Sequence, residues 1–329
     1  MRKLWLLCMA LTLLLTGCAG DTVIYQVQCD HEDLPQTTPQ PTPEVTEEAL
    51  KTGLALITDT TASRSAERAV YDLTVVAVTV DDDGVIRACR VDGVDTQLPF
   101  DTTGTITGSF GGELLSRRER DEGYETEDGE DDWYDDAEDL AERAVGKTAA
   151  ELRLAAGEAP QAVLAAIEKA AAQARHLGAQ AGEELHLALI ASLDGSNPAT
   201  GSEPGRARLN CDVAAVTLQG DTITSCRIDS VQADVLFDAM GTITGELSDS
   251  VKTKTELRED YGMKAYGGAK YEWYEQAEHF ARYVTGRTTA EVAAIPLHEG
   301  KAAQADLYAS VTITVTPLQA IVLRACGMD

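Results

Sequence analysis

The chain has 329 residues and a net charge of −28, with 55 acidic side chains against 27 basic ones. That length allows about two domains of ordinary size. The acidity repels phosphate backbones and anionic lipid headgroups, which excludes nucleic acid and a basic membrane patch as modes of association.

Arg2 and Lys3 lead into the apolar run Leu4 to Leu15, and Thr16-Gly17-Cys18 follows. A charged start, a short apolar stretch and small residues at its end make a secretory signal rather than a membrane span. A cysteine directly after Leu-x-Gly resembles the bacterial lipoprotein signal. That resemblance implies cleavage before Cys18 and acylation of Cys18, so that the chain hangs from a membrane by its N-terminal lipid. The expected location is the outer face of the bacterial cytoplasmic membrane or the cell surface. Residues 1–17 are then the signal peptide and residues 18–50 a lipid-anchored flexible tether. In that tether Pro35, Pro39, Pro41 and Pro43 sit among Thr, Gln and Glu without an apolar period.

Beyond the tether, residues 51–178 and 179–329 read as two copies of one unit. Leu54-Ala-Leu-Ile57 returns as Leu187-Ala-Leu-Ile190, and Cys89-Arg-Val-Asp92 returns as Cys226-Arg-Ile-Asp229. Gly104-Thr-Ile-Thr-Gly108 returns as Gly241-Thr-Ile-Thr-Gly245, and Trp133-Tyr134 returns as Trp273-Tyr274. In the first copy, Leu73 to Val80, the turn Asp81 to Gly84 and Val85 to Val94 predict an antiparallel hairpin. Gly104 to Gly108 reads as a short strand or turn. The acidic stretch Glu119 to Glu142 reads as a solvated loop, since its spacing matches no EF-hand.

Trp133 to Val145 has helical spacing and stops at Gly146, and Thr148 with Glu151 forms a capping-box pattern. An alanine-rich helix is expected from Pro160 to Leu177. The second copy predicts a hairpin around Gln219-Gly-Asp221, a helix over Trp273 to Val284 that stops at Gly286, and a capping box at Thr288 and Glu291. The recurrent Trp-Tyr pairs point to core packing. The segment Asp306 to Thr314 has no counterpart in the first copy, and Pro317 suits the first turn of a last helix reaching Cys326. The fold class is α+β: two tandem homologous repeats, each an antiparallel hairpin or sheet packed with helices.

Five cysteines remain after Cys8 and Cys18: Cys29, Cys89, Cys211, Cys226 and Cys326. Cys211 and Cys226 lie on the two arms of one hairpin and are placed to face each other, though buried free thiols fit as well. The five histidines are scattered, and no zinc spacing, nucleophile elbow or Gly-rich phosphate loop occurs.

The hairpin ending in Cys-x-Ile-Asp, the following helix and an Asp-containing strand feeding a final helix resemble the FMN-binding domain of bacterial surface flavoproteins, over roughly residues 51–329. In that family a motif Asp-x-x-Ser/Thr-Gly-Ala-Thr/Ser carries FMN on its last hydroxyl. Asp306, Ala309, Ser310, Val311 and Thr312 fall on that motif, so the resemblance implies a flavin site at Asp306, Ser310 and Thr312 with Thr312 as acceptor. Ser310 stands where the motif has glycine, and Val311 where it has alanine, which removes the close backbone approach a glycine allows. The resulting expectation is a non-catalytic, lipid-anchored binding or adaptor lipoprotein that takes a small molecule, with no metal site. The alternative is an extracellular FMN electron carrier.

Overall fold

A computed structural model describes residues 48–123, 132–157 and 159–328. The signal, Cys18, the tether up to residue 47, Cys29 and the centre of the acidic stretch lie outside the described residues. Residues 46–329 form one compact unit, mixed α+β with antiparallel sheets.

The chain first makes three long strands, β1 (Ala49–Asp59), β2 (Arg68–Val80) and β3 (Ile86–Pro99). A two-residue strand β4 (Glu113–Leu114) follows, then the helices α1 (Arg117–Gly123), α2 (Asp132–Ala144), α3 (Ala149–Ala155) and α4 (Gln161–Ala172). Strand β5 (Arg175–Gln180) leads into a second set of long strands, β6 (Glu184–Ser192), β7 (Gly205–Gln219) and β8 (Thr222–Phe237). The rest is helical apart from a small two-stranded hairpin. It runs through α5 (Lys254–Leu257), a 3-10 turn at Arg258–Tyr261, α6 (Met263–Gly267), α7 (Trp273–Val284) and α8 (Thr289–Ala293). The hairpin β9 (Leu297–His298) and β10 (Lys301–Ala302), α9 (Ala305–Ser310) and α10 (Thr316–Ala325) close the chain.

Two four-stranded sheets result, in the orders β3-β2-β1-β5 and β4-β6-β7-β8. Every pairing is antiparallel. Their inner faces meet in a core of alternating residues: Leu54 and Leu56 of β1, and Leu209, Cys211, Val213 and Ala215 of β7. Helices α2, α3 and α4 cover the outer face of the first sheet, and α7 to α10 cover that of the second. The layers therefore run helix, sheet, sheet, helix, which is how two amphipathic sheets bury both faces. Phe100 and Phe237 stack between the sheets with ring centroids 4.1 Å apart. At another point a buried hydroxyl chain crosses the interface, Thr52 Oγ1 to Ser225 Oγ at 2.7 Å and Ser225 to Thr217 at 2.8 Å.

The expected hairpins, helices over Trp133 and Trp273, helix stops at Gly146 and Gly286 and both capping boxes form as read. Three expectations are corrected. The alanine-rich helix ends at Ala172, because the chain beyond it is drawn into edge pairing with β1, His176 opposite Lys51. Helix α4 lies so close to β1 that a Cβ on Gly53 would sit 2.1 Å from the Ala170 carbonyl oxygen. Cys211 and Cys226 do not face each other: Cys211 lies opposite Val231 in the inner core and Cys226 belongs to the outer one, so both are free thiols. Residues 305–310, read as part of a strand-like segment, form helix α9. The division expected at 178/179 falls inside β5, and β4, from the first half of the chain, pairs with β6 of the second sheet.

Candidate functional site

Asp306, Ser310 and Thr312, the residues singled out for flavin, line neither of the two hollows described below. Asp306 is exposed in the first turn of α9, and the Ser310 hydroxyl donates to the Leu307 carbonyl at 3.2 Å. The fully buried side chain of Gln276, on α7, holds the loop that follows. Its Oε1 accepts from the Thr312 backbone N–H at 2.8 Å, the Thr312 hydroxyl at 3.2 Å and the Ile313 N–H at 3.1 Å. The acceptor-type hydroxyl is thus engaged in fixing a loop that no regular ladder satisfies.

A cavity of about 250 Å³ opens elsewhere, where the edge strand β8 meets β5, the α5 turn and α7. Four arginines line it: Arg175 from β5, Arg227 from β8, Arg258 from the 3-10 turn and Arg282 from α7. Glu278 is the one carboxylate in the wall. Apolar surface comes from Leu177, Ile228 and Ala281, with the Cys226 thiol beside them. Burial pushes that thiol above its usual range.

Each cation is placed by a different element. Arg227 is half-buried and donates to the Gln173 carbonyl, just past α4, at 2.5 Å and to the Thr52 carbonyl of β1 at 3.5 Å. Burial, reinforced by the like charge of Arg175 and opposed by Asp229 and Glu278, lowers its pKa from the usual arginine range. Among the described residues, neither Arg227 nor Arg282 has a carboxylate within ion-pair distance. Arg282 Nε reaches only the Glu278 carbonyl, at 3.4 Å. Arg175 approaches the Glu278 carboxylate at 4.0 Å, the limit of an ion pair. Arg258 stands at the mouth, its guanidinium 4.5 Å above the Tyr274 ring and 3.6 Å from Glu259. Tyr274 donates its hydroxyl to Glu259 at 2.9 Å and accepts from Arg258 at 3.3 Å.

Four guanidiniums around one carboxylate leave an excess of positive charge in a chain with twice as many acids as bases. Guanidinium forks match the paired oxygens of carboxylates and phosphates, so the arrangement suits a small anion.

The reading of Trp-Tyr pairs as core holds for Trp273, whereas Tyr274 also forms cavity wall. The four arginines were not singled out from the sequence. Arg227 is the second residue of the recurring Cys-Arg-Ile-Asp stretch, and its counterpart Arg90 is an exposed residue of the first sheet. The usable signal is their scarcity in so acidic a chain.

A second hollow borders Asp59, Asp72 and Asp95, which sit directly opposite one another on three adjacent strands. Arg117 lies against them, at 3.2 Å from Asp72 and 3.4 Å from Asp95, and offsets the like-charge repulsion. Among the described residues, no group of three or more His, Cys, Asp or Glu is placed to hold a metal ion. No protein-family model, no curated protein and no solved structure matches this chain.

Proposed function

We propose that this chain is an exported, lipid-anchored binding protein that captures a small anion in the arginine-lined cavity without transforming it. The observation that carries the reading is the charge imbalance of the wall: four guanidiniums share one carboxylate, and among the described residues the half-buried Arg227 has no carboxylate within ion-pair distance. A cation held partly out of water without a counter-charge is costly unless a ligand supplies it. An anion bound there is expected to stabilise the fold, by about 2.7 kcal/mol at a hundred times its Kd.

Two homologous repeats form the architecture in this reading. Supporting it, each set of three long strands carries a register shift near the end of its middle strand, at Thr79/Val80 and Thr217/Leu218. Likewise Gly146 N–H donates to the Ile86 carbonyl as Gly286 N–H donates to that of Ile223. The anion cavity draws Arg175 and Leu177 from the end of the first repeat and the rest of its wall from the second. The extracellular FMN carrier is the alternative, and the engagement of Thr312 by Gln276 favours the binding module over it.

Titration calorimetry on residues 19–329 at low ionic strength tests the cavity, with inorganic phosphate, phenyl phosphate and phthalate as probes. At least one probe is expected to bind, and Arg282→Ala to weaken it tenfold or more with little change in Tm. A wild-type protein that ignores all three probes would remove the anion site. The anchor is tested separately: Cys18→Ser is expected to move the protein from the membrane fraction to the soluble exported fraction. Unchanged fractionation would overturn lipidation at Cys18.

A further inference from the structure

Arg258 differs from the other three arginines in its backbone. It has φ 51° and ψ −119°, a conformation that glycine reaches freely and an L side chain reaches only under strain. Strain of this kind persists where the surroundings over-determine it, and it concentrates at binding sites. Here two anchors hold the side chain, the Tyr274 ring below it and the Glu259 carboxylate beside it. The strained turn sits at the end of α5, between Thr255 in the cavity wall and the glycine-capped turn at Gly262.

We infer that Arg258 is the specificity-determining residue of this cavity, held ready at its mouth for a compact dianion with an apolar body. The inference rests on the anion-binding reading above and names the ligand class. A volume of about 250 Å³ lies below the roughly 300–1,000 Å³ of cavities that take drug-sized ligands, so the ligand is small. The wall holds four positive charges against Glu278, and Glu259 beside Arg258 offsets one more, which leaves two for the ligand to meet. Leu177, Ile228 and Ala281 give that ligand an apolar bed, and two of the five N–H groups of Arg258 are spoken for by Tyr274 and Glu259. The remaining N–H groups offer a bidentate fork to an oxyanion. The shared chemistry is that of a phosphate monoester or a dicarboxylate.

The strain makes the assignment testable in two directions at once. Arg258→Gly removes both the guanidinium and the strain, whereas Arg258→Ala removes the guanidinium and keeps the strain. Affinity and Tm are measured for both variants and for wild type, with phenyl phosphate, phthalate and the monoanion benzoate as probes. Phenyl phosphate or phthalate is expected to bind wild type at least tenfold more tightly than benzoate, and whichever binds better identifies the phosphate or the carboxylate source. Both variants are expected to lose tenfold or more of that affinity. Ligand-free Arg258→Gly is expected to melt at or above wild type, and Arg258→Ala below it by about 2–8 °C.

Benzoate binding as tightly as the dianions would overturn the ligand class. A glycine variant that binds normally while Arg282→Ala does not would overturn the role of Arg258 and leave the anion cavity standing. A glycine variant that melts well below wild type would make Arg258 a structural prop and overturn the inference in the same way. No binding by wild type would overturn this inference together with the reading it rests on.

Discussion

Phe237→Ala lowers the unfolding free energy by about 4 kcal/mol, as urea denaturation of residues 19–329 will read it. The ring is fully buried at the far end of β8 and lies parallel to Phe100, with an interplanar angle of 2°. It also lies against Gly205, where a Cβ would sit 2.2 Å from the ring, so no other side chain stands ready to fill the space it leaves. Truncation therefore removes the transfer free energy of the ring and opens a cavity between two sheets that have little freedom to collapse. Phe100→Ala is expected to cost a similar amount. The double variant is expected to cost less than the two single changes together by about 0.5–1.5 kcal/mol, the coupling of a stacked pair. A loss below about 1.5 kcal/mol for Phe237→Ala would mean that the sheets are held together without the stack.

The same pair shows what the sequence could disclose. Phe100 and Phe237 each precede a Gly-Thr-Ile-Thr-Gly run, and each bridges to the isoleucine within it, Ile106 and Ile243. The turns are built alike: Asp101 Oδ1 accepts from Thr103 and Thr105 N–H groups, and Asp238 Oδ1 accepts from those of Met240 and Thr242. Such local chemistry is legible because each partner lies within a few residues. For the same reason the capping boxes at Thr148 and Thr288, and the stops at Gly146 and Gly286, could be read directly. The layering of the two sheets could not, since inner and outer faces of a strand buried on both sides are equally apolar. Val76 faces the helices and Val75 the other sheet, and nothing in their side chains distinguishes the two. Strand β5 was missed because alanine propensity argued for helix, while the pairing with β1 that decides the matter is formed with residues more than a hundred positions away.

The cavity was illegible for a related reason. Arg175, Arg227, Arg258 and Arg282 come from four elements, with no spacing to unite them, and the motif containing Arg227 recurs at Arg90, an exposed residue. Arg90 is exposed on the first sheet and donates to the adjacent Cys89 carbonyl, whereas β5 contributes to the wall around Arg227. The segment that did attract notice, Asp306 to Thr312, is a short helix running into a loop pinned by one buried glutamine, a role without a recognisable pattern.

Asp229→Ala is expected to cost about 3 kcal/mol and to weaken anion binding at the neighbouring cavity. Asp229 lies at the end of the recurring Cys-Arg-Ile-Asp stretch, and its Oδ1 accepts the Ser230 N–H at 2.7 Å and the Thr255 N–H at 3.2 Å. The second of these bonds seats the first turn of α5 on β8, and that turn carries Thr255 and leads to Arg258. Asp92 does the same for α1, accepting from Gly93 at 2.7 Å and Arg118 at 3.1 Å. Removing the carboxylate leaves two N–H groups unpaired in a buried setting, at about 1–3 kcal/mol each. Burial raises the pKa of Asp229 from its usual 3.8, against the opposing pull of those hydrogen bonds. An acid with a raised folded pKa binds its proton more tightly in the folded state. Its contribution to stability is therefore complete below the unfolded pKa and declines as pH rises through the folded one. Asp229→Asn keeps an acceptor oxygen for both N–H groups and never takes on the charge. Its stability relative to wild type is expected to improve as pH rises from about 4 towards 7, as urea midpoints at those two pH values will read it. A difference that moves the other way would mean that the folded protein stabilises the ionised carboxylate, and that the hydrogen bonds outweigh burial. Either way the alanine variant stands as the measure of how firmly β8 holds the strained turn that presents Arg258.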